Sequence, residues 1–301
     1  MSANNICLPV IQAPMFLLSG PDMVIASCRA GIIGSFPSPN ARTVNILDQW
    51  LQQITSELSE VPHAAPWALN LVMHRSNPRR RDDLELAIKY RAPIVITALG
   101  SPAEAVESVH AYGGKVYADV TTIDFARRAA AVGVDGLALV CCGAGGHTGL
   151  LSPFAFVDEV RQFFDGEIIL SGAISNGRAI RAAEVLGADY VYMGTRFIPT
   201  QESLAQDEYK EMVVEASGAD IVTSDSITGV KANWLKGSLE KVGFDVDNMP
   251  PPGAINFLEA ASDAKRWRDI WAAGQGVGSI DRQQSVAEVV EQLTDEYRSC
   301  L

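Results

Sequence analysis

A single histidine lies in a glycine-rich run, Gly143-Ala144-Gly145-Gly146-His147-Thr148-Gly149. Imidazole titrates near neutral pH, so a histidine on so open a backbone can accept a proton from a small substrate. Two more glycine turns follow, Ser171-Gly172-Ala173-Ile174-Ser175-Asn176-Gly177-Arg178 and Met193-Gly194-Thr195-Arg196. Each comes after a short apolar run, where backbone N–H groups and a helix N-terminus can close around a phosphate. That order suits an enzyme holding a phosphorylated cofactor at one end of a parallel barrel, with His147 toward its reactive end. Tight βα turns use glycine too, and a lone histidine is often structural. The consecutive pair of turns favours the functional reading, as does a loop with nothing to bury the ring.

Weaker candidates share the same end. The Ala13-Pro14-Met15 turn offers backbone groups to the edge of a planar ring, because Pro14 fixes the local backbone. Asn70 brings both a donor and an acceptor for a heterocycle. Asp119 or Thr121 could reach the same space, although a carboxylate there could instead cap the next helix. His63, His74 and His110 lack metal-ligand spacing, and neither HExxH nor CxxC occurs, so no metal site is expected. The absence of a GxSxG elbow removes the case for a serine triad. Arg79-Arg80-Arg81 runs straight into Asp82-Asp83 and is expected to be a solvated helix start.

These residues need a scaffold that brings strand ends together. Short apolar runs occur at Pro9–Gln12, Gly31–Ser35, Trp67–Leu71, Ile94–Thr97, Val116–Val120, Gly136–Val140, Glu167–Leu170 and Tyr190–Met193. They are continuous rather than alternating, as strands buried on both faces are. Helical signals fall between them. Ser152-Pro153 precedes Phe154, Val157, Val160 and Phe164 at helical spacing; Asn176 precedes Ile180, Ala183 and Leu186 and a stop at Gly187; Asp124 to Val132 ends at Gly133. Eight βα units predict an α/β fold, a (β/α)8 TIM barrel, whose active site lies at the C-terminal strand ends. An open doubly wound sheet is second, weakened by the lack of a GxGxxG turn after the first strand. The barrel is expected over 1–201 and 264–301. Residues 202–263, with the Pro250-Pro-Pro-Gly253 hinge, are expected to be a small helical insertion over the mouth. A last helix from about Asp281 puts Val286, Val289, Val290, Leu293 and Tyr297 on one face.

Composition limits the partners. The chain has 301 residues, 48% of them hydrophobic, and 24 basic against 36 acidic side chains give a net charge of −12. Such a surface repels nucleic acid and anionic membrane, and no apolar run is long enough for a bilayer span. The five cysteines, with Cys141-Cys142 expected as buried free thiols, suit a reducing, cytoplasmic setting. Met1-Ser-Ala-Asn-Asn5 lacks the basic start of a signal peptide. A homo-oligomer stays open.

Taken together, the residues resemble the nitronate monooxygenase family, FMN-dependent barrel enzymes. The resemblance covers most of the chain: Ala13-Pro-Met15, Ala68-Leu-Asn70-Leu71, the Ala144-Gly-Gly-His147-x-Gly149 loop, Leu170-Ser-Gly172, Asn176-Gly-Arg178, Leu186-Gly-Ala-Asp189, Met193-Gly-Thr-Arg-Phe197 and Ile270-Trp-Ala-Ala-Gly-Gln275. It implies FMN across the mouth, its phosphate on Gly172 and Gly194-Thr195 and its ring near Ala13–Met15 and Asn70. Asp119, Gly146, Ser171, Ala173 and Gln275 complete the implied cofactor-binding set, and His147 would be the catalytic residue. The implied reaction passes electrons from a nitronate to FMN and then to O2, giving a carbonyl compound and nitrite. Two positions depart from the pattern. Ala173 stands where relatives often have a second glycine, and Asp119 where some carry a lysine. Related barrels reduce quinones or enoyl thioesters with NAD(P)H, and a flavin- or phosphate-binding barrel without turnover is a further alternative.

Overall fold

The computed structural model of the chain describes residues 6–252 and 268–300. The N-terminal pentapeptide, residues 253–263 of the expected insertion and Gly253 of the hinge lie outside them. The strands in chain order are β1 Val10–Gln12, β2 Gly34–Pro37, β3 Trp67–Val72, β4 Ile94–Ala98, β5 Lys115–Val120, β6 Gly136–Val140, β7 Gly146–His147, β8 Glu167–Ser171, β9 Tyr190–Met193, β10 Ile221–Ser224 and β11 Ala232–Leu235. The helices are α1 Pro21–Arg29, α2 Val44–Ser59, α3 Arg80–Lys89, α4 Ala103–His110, α5 Ile123–Ala131, α6 Pro153–Arg161, α7 Gly177–Leu186, α8 Asp207–Glu215, α9 Lys236–Lys241 and α10 Val286–Arg298.

Eight strands form one parallel sheet in the order β1-β9-β8-β6-β5-β4-β3-β2, and a parallel Ile11–Ile33 bridge joins its ends into a barrel. Buried Gln12 reinforces that seam: its Oε1 accepts from Ser35 N at 3.0 Å, and its backbone carbonyl accepts from Ser35 Oγ at 2.5 Å. Each strand feeds two cores. On β5, Val116, Ala118 and Val120 join the cluster under the helices, while Tyr117 joins Ile11, Ile33, Ala68, Ile94, Ile96, Ala138, Ile169 and Tyr192 inside the barrel. Burial on both faces explains the uninterrupted apolar runs.

Local signals place the helices. Asn176 Oδ1 caps α7 by accepting from Ala179 N at 2.9 Å, and Gly187, at φ +102°, ends it in the left-handed region. Ser285 and Glu288 form a reciprocal capping box that starts α10 at Val286, five residues beyond the expected start. Two other expectations shift. The second strand begins at Gly34 rather than Gly31, because Gly31 at φ +87° still belongs to the turn leaving α1. The arginine run is not merely solvated: Arg79 Nη2 donates to buried Asp83 at 2.8 Å and Arg79 Nη1 donates to Ala41 O at 2.7 Å.

The insertion departs further from expectation, being mixed rather than helical. Between α8 and α9 lie β10 and β11, an antiparallel pair, and β11 pairs with β7 through Ala232–His147 and Asn233–Gly146. Stacked Tyr209 and Trp271 rings, 5.0 Å apart, join Leu235, Ala273, Val277 and Ile280 in one local core. Residues 270–280 therefore pack with the insertion, beyond the expected boundary at 263. The insertion meets the barrel where β6 and β9 end.

Candidate functional site

Strand alternation aims a ring of polar residues into the upper barrel. Asn70 follows inward Ala68 on β3, Asp119 follows inward Tyr117 on β5, and Ser171 follows inward Ile169 on β8. Asn70 is buried and donates weakly, at 3.4 Å, to Ile96 O. Asp119 Oδ1 is shielded from solvent and has no hydrogen-bond partner. Burial alone pushes its carboxyl up to about 7. The Tyr192 hydroxyl, on the inward face of β9, is likewise buried without a hydrogen-bond partner. Burial drives its pKa far up, and the nearby Asp119 charge adds to the effect.

Backbone turns from distant parts of the chain meet above this ring. Gly143 O accepts from Gln275 N at 2.9 Å and from Ala173 N at 3.3 Å. Thr195 Oγ1 accepts from Gly274 N at 2.9 Å. The histidine loop, the turn after β8, the turn after β9 and the Gly274-Gln275 segment are thus one hydrogen-bonded assembly. Gly172 within it has φ +132°, and a Cβ there would stand 2.7 Å from Cys142 O, so only glycine suits this backbone. Ala173 follows at φ +56°, also left-handed.

His147 sits on β7, half-buried, held at the backbone by Ala232. Its loop is fixed from the insertion side, since Asn233 Nδ2 donates to Ala144 O at 2.7 Å and Thr148 N donates to Lys231 O at 3.0 Å. The Ala13–Met15 turn lies against Gly194, whose Cβ position falls 3.4 Å from Met15 Sδ and 3.7 Å from Ala13 Cβ. Asn40 holds the turn rigid: its Nδ2 donates to Met15 O at 2.9 Å and its Oδ1 accepts from Leu17 N at 2.8 Å.

The expected residues therefore gather at one end of the barrel, with one exception. Gly177 does not face an anion. Its N–H donates to Glu296 Oε2 at 2.8 Å, and a Cβ there would strike the backbone of Tyr297, so this glycine serves α7–α10 packing. Sequence reasoning missed Asn40, Asn233 and Tyr192. Only Tyr192 carried a signal, as one of two tyrosine hydroxyls on a short, otherwise apolar strand. Among the described residues no group of three or more His, Cys, Asp or Glu is arranged for a metal, and no helix is long and apolar enough to cross a membrane.

Comparison with known proteins shows the family. The model of the nitronate monooxygenase family matches residues 1–296. A nitronate monooxygenase of Pseudomonas aeruginosa is 26% identical over 349 aligned positions, covering 96% of each chain. A Mycobacterium tuberculosis protein provisionally named a monooxygenase is 32% identical over 230 residues; the match spans 71% of this chain but only 61% of that longer protein. The solved structure of a nitroalkane oxidase from Streptomyces ansochromogenes superposes with a TM-score of 0.83 at 22% identity, covering 99% of this chain and 98% of that one. With a parallel eight-stranded barrel, a glycine-cradled mouth and a family match over nearly its whole length, this chain is an oxidoreductase belonging to the nitronate monooxygenase family.

Proposed function

We propose that the barrel mouth binds FMN and that the enzyme oxidises alkyl nitronates with O2 to a carbonyl compound and nitrite. The observation that carries this reading is the bonded convergence of the histidine loop with the Gly172-Ala173 turn and the Gly274-Gln275 segment. It joins a proton acceptor and a phosphate-sized cradle in one rigid unit. The residues present fit the cofactor: a heterocycle edge can meet the open side of the Asp119 carboxyl, and a phosphate suits the close backbone approach at Gly172. Ser171, Gly172, Ala173, Gly194 and Thr195 would hold the phosphate, and Ala13, Pro14, Met15, Asn70, Asp119, Gly146 and Gln275 the remainder. Bound FMN supplies the redox chemistry between nitronate and O2.

The chain's own residues do the rest. His147 takes the α-proton of a nitroalkane or orients the nitronate, and β11 and Asn233 keep its loop from swinging away. The insertion, with residues 268–280, acts as a cover that excludes water. A second reading, an NAD(P)H-dependent quinone or enoyl-thioester reductase, draws support from Asp119, because an acid supplies no cation for a reduced flavin anion.

Purified protein should be yellow and consume O2 with an alkyl nitronate. His147→Ala should lower turnover by on the order of a hundredfold or more while keeping the flavin. Full turnover in that variant contradicts the role of His147. Anaerobic bleaching by NADH or NADPH but not by nitronate transfers the assignment to the second reading.

A further inference from the structure

Asp119 is an unusual group to find beneath the mouth, and its surroundings define what it can do. It faces inward on β5, two residues above Tyr117, and its Oδ1 is sealed off with no donor in reach. From β9 the Tyr192 hydroxyl presents a second unpartnered polar atom, close enough for the Asp119 charge to act on it. From β3 comes neutral Asn70 and from β8 neutral Ser171; His147 is the nearby titratable group of the loop above. Among inward positions on the eight strands the only cation is Lys115, and it is committed to Glu167 at 2.7 Å near the opposite end. A carboxylate with one oxygen sealed off and no cation beside it is expensive, whereas a carboxylic acid carries a proton it can donate. The residue as a whole keeps partial exposure although Oδ1 does not, so one side of the group remains open.

Resting on the FMN reading, we propose that Asp119 enters the site as a neutral carboxylic acid whose O–H donates to a carbonyl or ring nitrogen of the bound flavin. This is a different device from a lysine at the same place. It offers a hydrogen bond without a fixed charge, and it lets pH set how well the flavin is held. The same physics keeps acids neutral in other apolar sites so that they can donate.

The test uses the FMN-loaded protein, with isotope-edited infrared spectroscopy of the aspartate carboxyl followed in parallel with FMN affinity across pH. The wild-type carboxyl should remain protonated well above the ordinary carboxylate range, where burial alone already pushes it to about 7, and titrate higher still with FMN bound. FMN affinity should fall as pH rises past that titration. Asp119→Asn, a neutral donor of the same shape, should keep FMN affinity within about threefold and abolish its pH dependence, whereas Asp119→Ala should weaken FMN by about tenfold. An ionised Asp119 in FMN-loaded protein at pH near 6, or an unchanged pH dependence in Asp119→Asn, overturns the inference and leaves the proposed function standing. Failure of the wild-type protein to take up FMN at any pH overturns both.

Discussion

The two ends of the barrel treat their polar groups in opposite ways. At the N-terminal end Glu167 accepts from Lys115 Nζ at 2.7 Å and from the Tyr117 hydroxyl at 2.6 Å, and Asp135 accepts from Val116 N at 2.7 Å and His110 Nε2 at 2.8 Å. At the C-terminal end, two residues further along the same strand, Asp119 Oδ1 has no hydrogen-bond partner, and neither does the Tyr192 hydroxyl. Polar groups satisfied within the protein hold it together; an acid with one oxygen sealed off and one side open at the mouth is kept for something that arrives. The turns at Gly172 and Gly194 lie at the end where the acid is unsatisfied.

Substitutions at the N-terminal end should therefore change stability alone, whereas those at the mouth should change FMN binding as well. The largest effect is expected at the mouth. Gly172→Val forces a branched side chain onto φ +132° and against Cys142 O, which should cost about 2–4 kcal/mol and lower FMN affinity by on the order of a hundredfold or more. Flavin titration with thermal melting checks both, and a variant that still retains FMN breaks the comparison.

Asp119 should show itself in a pH series without flavin. Its folded carboxyl lies near 7, above the unfolded value near 4, so the folded state binds the extra proton between them. Its contribution is then lost as pH rises from about 4 through 7, by about 4 kcal/mol. Denaturant unfolding of wild type against Asp119→Asn should reveal that slope as a difference. Parallel curves would mean that the acid is not buried as described.

At the other end, Tyr117→Phe removes one hydrogen bond to Glu167 and should cost about 1 kcal/mol, with FMN affinity and turnover unchanged. A loss of FMN there would erase the distinction between the two ends. The smallest effect belongs to Ala173→Gly, which relieves a left-handed φ of +56° at an exposed position. It should raise stability by a few tenths of a kcal/mol, since the left-handed cost is partly offset by added freedom in the unfolded chain. Calorimetry resolves that shift.

The scaffold was largely legible because burial on both faces leaves a direct mark. Ile94–Ala98 and Glu167–Ser171 carry it as continuous apolar runs, and Asn176 and Gly187 mark the ends of α7 by their chemistry. The histidine loop and the turns at Gly172 and Gly194 were visible for the same local reasons. What escaped depends on register between distant segments. The pairing of Gly146–His147 with Ala232–Asn233 involves a two-residue strand too short to leave a pattern, so the insertion was expected to be helical. Gly177 looked like part of a phosphate turn, but Glu296, 119 residues later, takes its N–H. Asp119 could be seen as a mouth residue; that its Oδ1 is sealed off without a hydrogen-bond partner appears only in the closed barrel.

The most direct test of the account compares the binding of FMN and of riboflavin, which share a ring and differ by the phosphate. Gripping of the phosphate by the turns at Gly172 and Gly194 predicts that FMN binds more tightly by on the order of a hundredfold or more, from charge-assisted hydrogen bonds. Equal affinity for the two would show that those turns hold no phosphate, and would contradict the account.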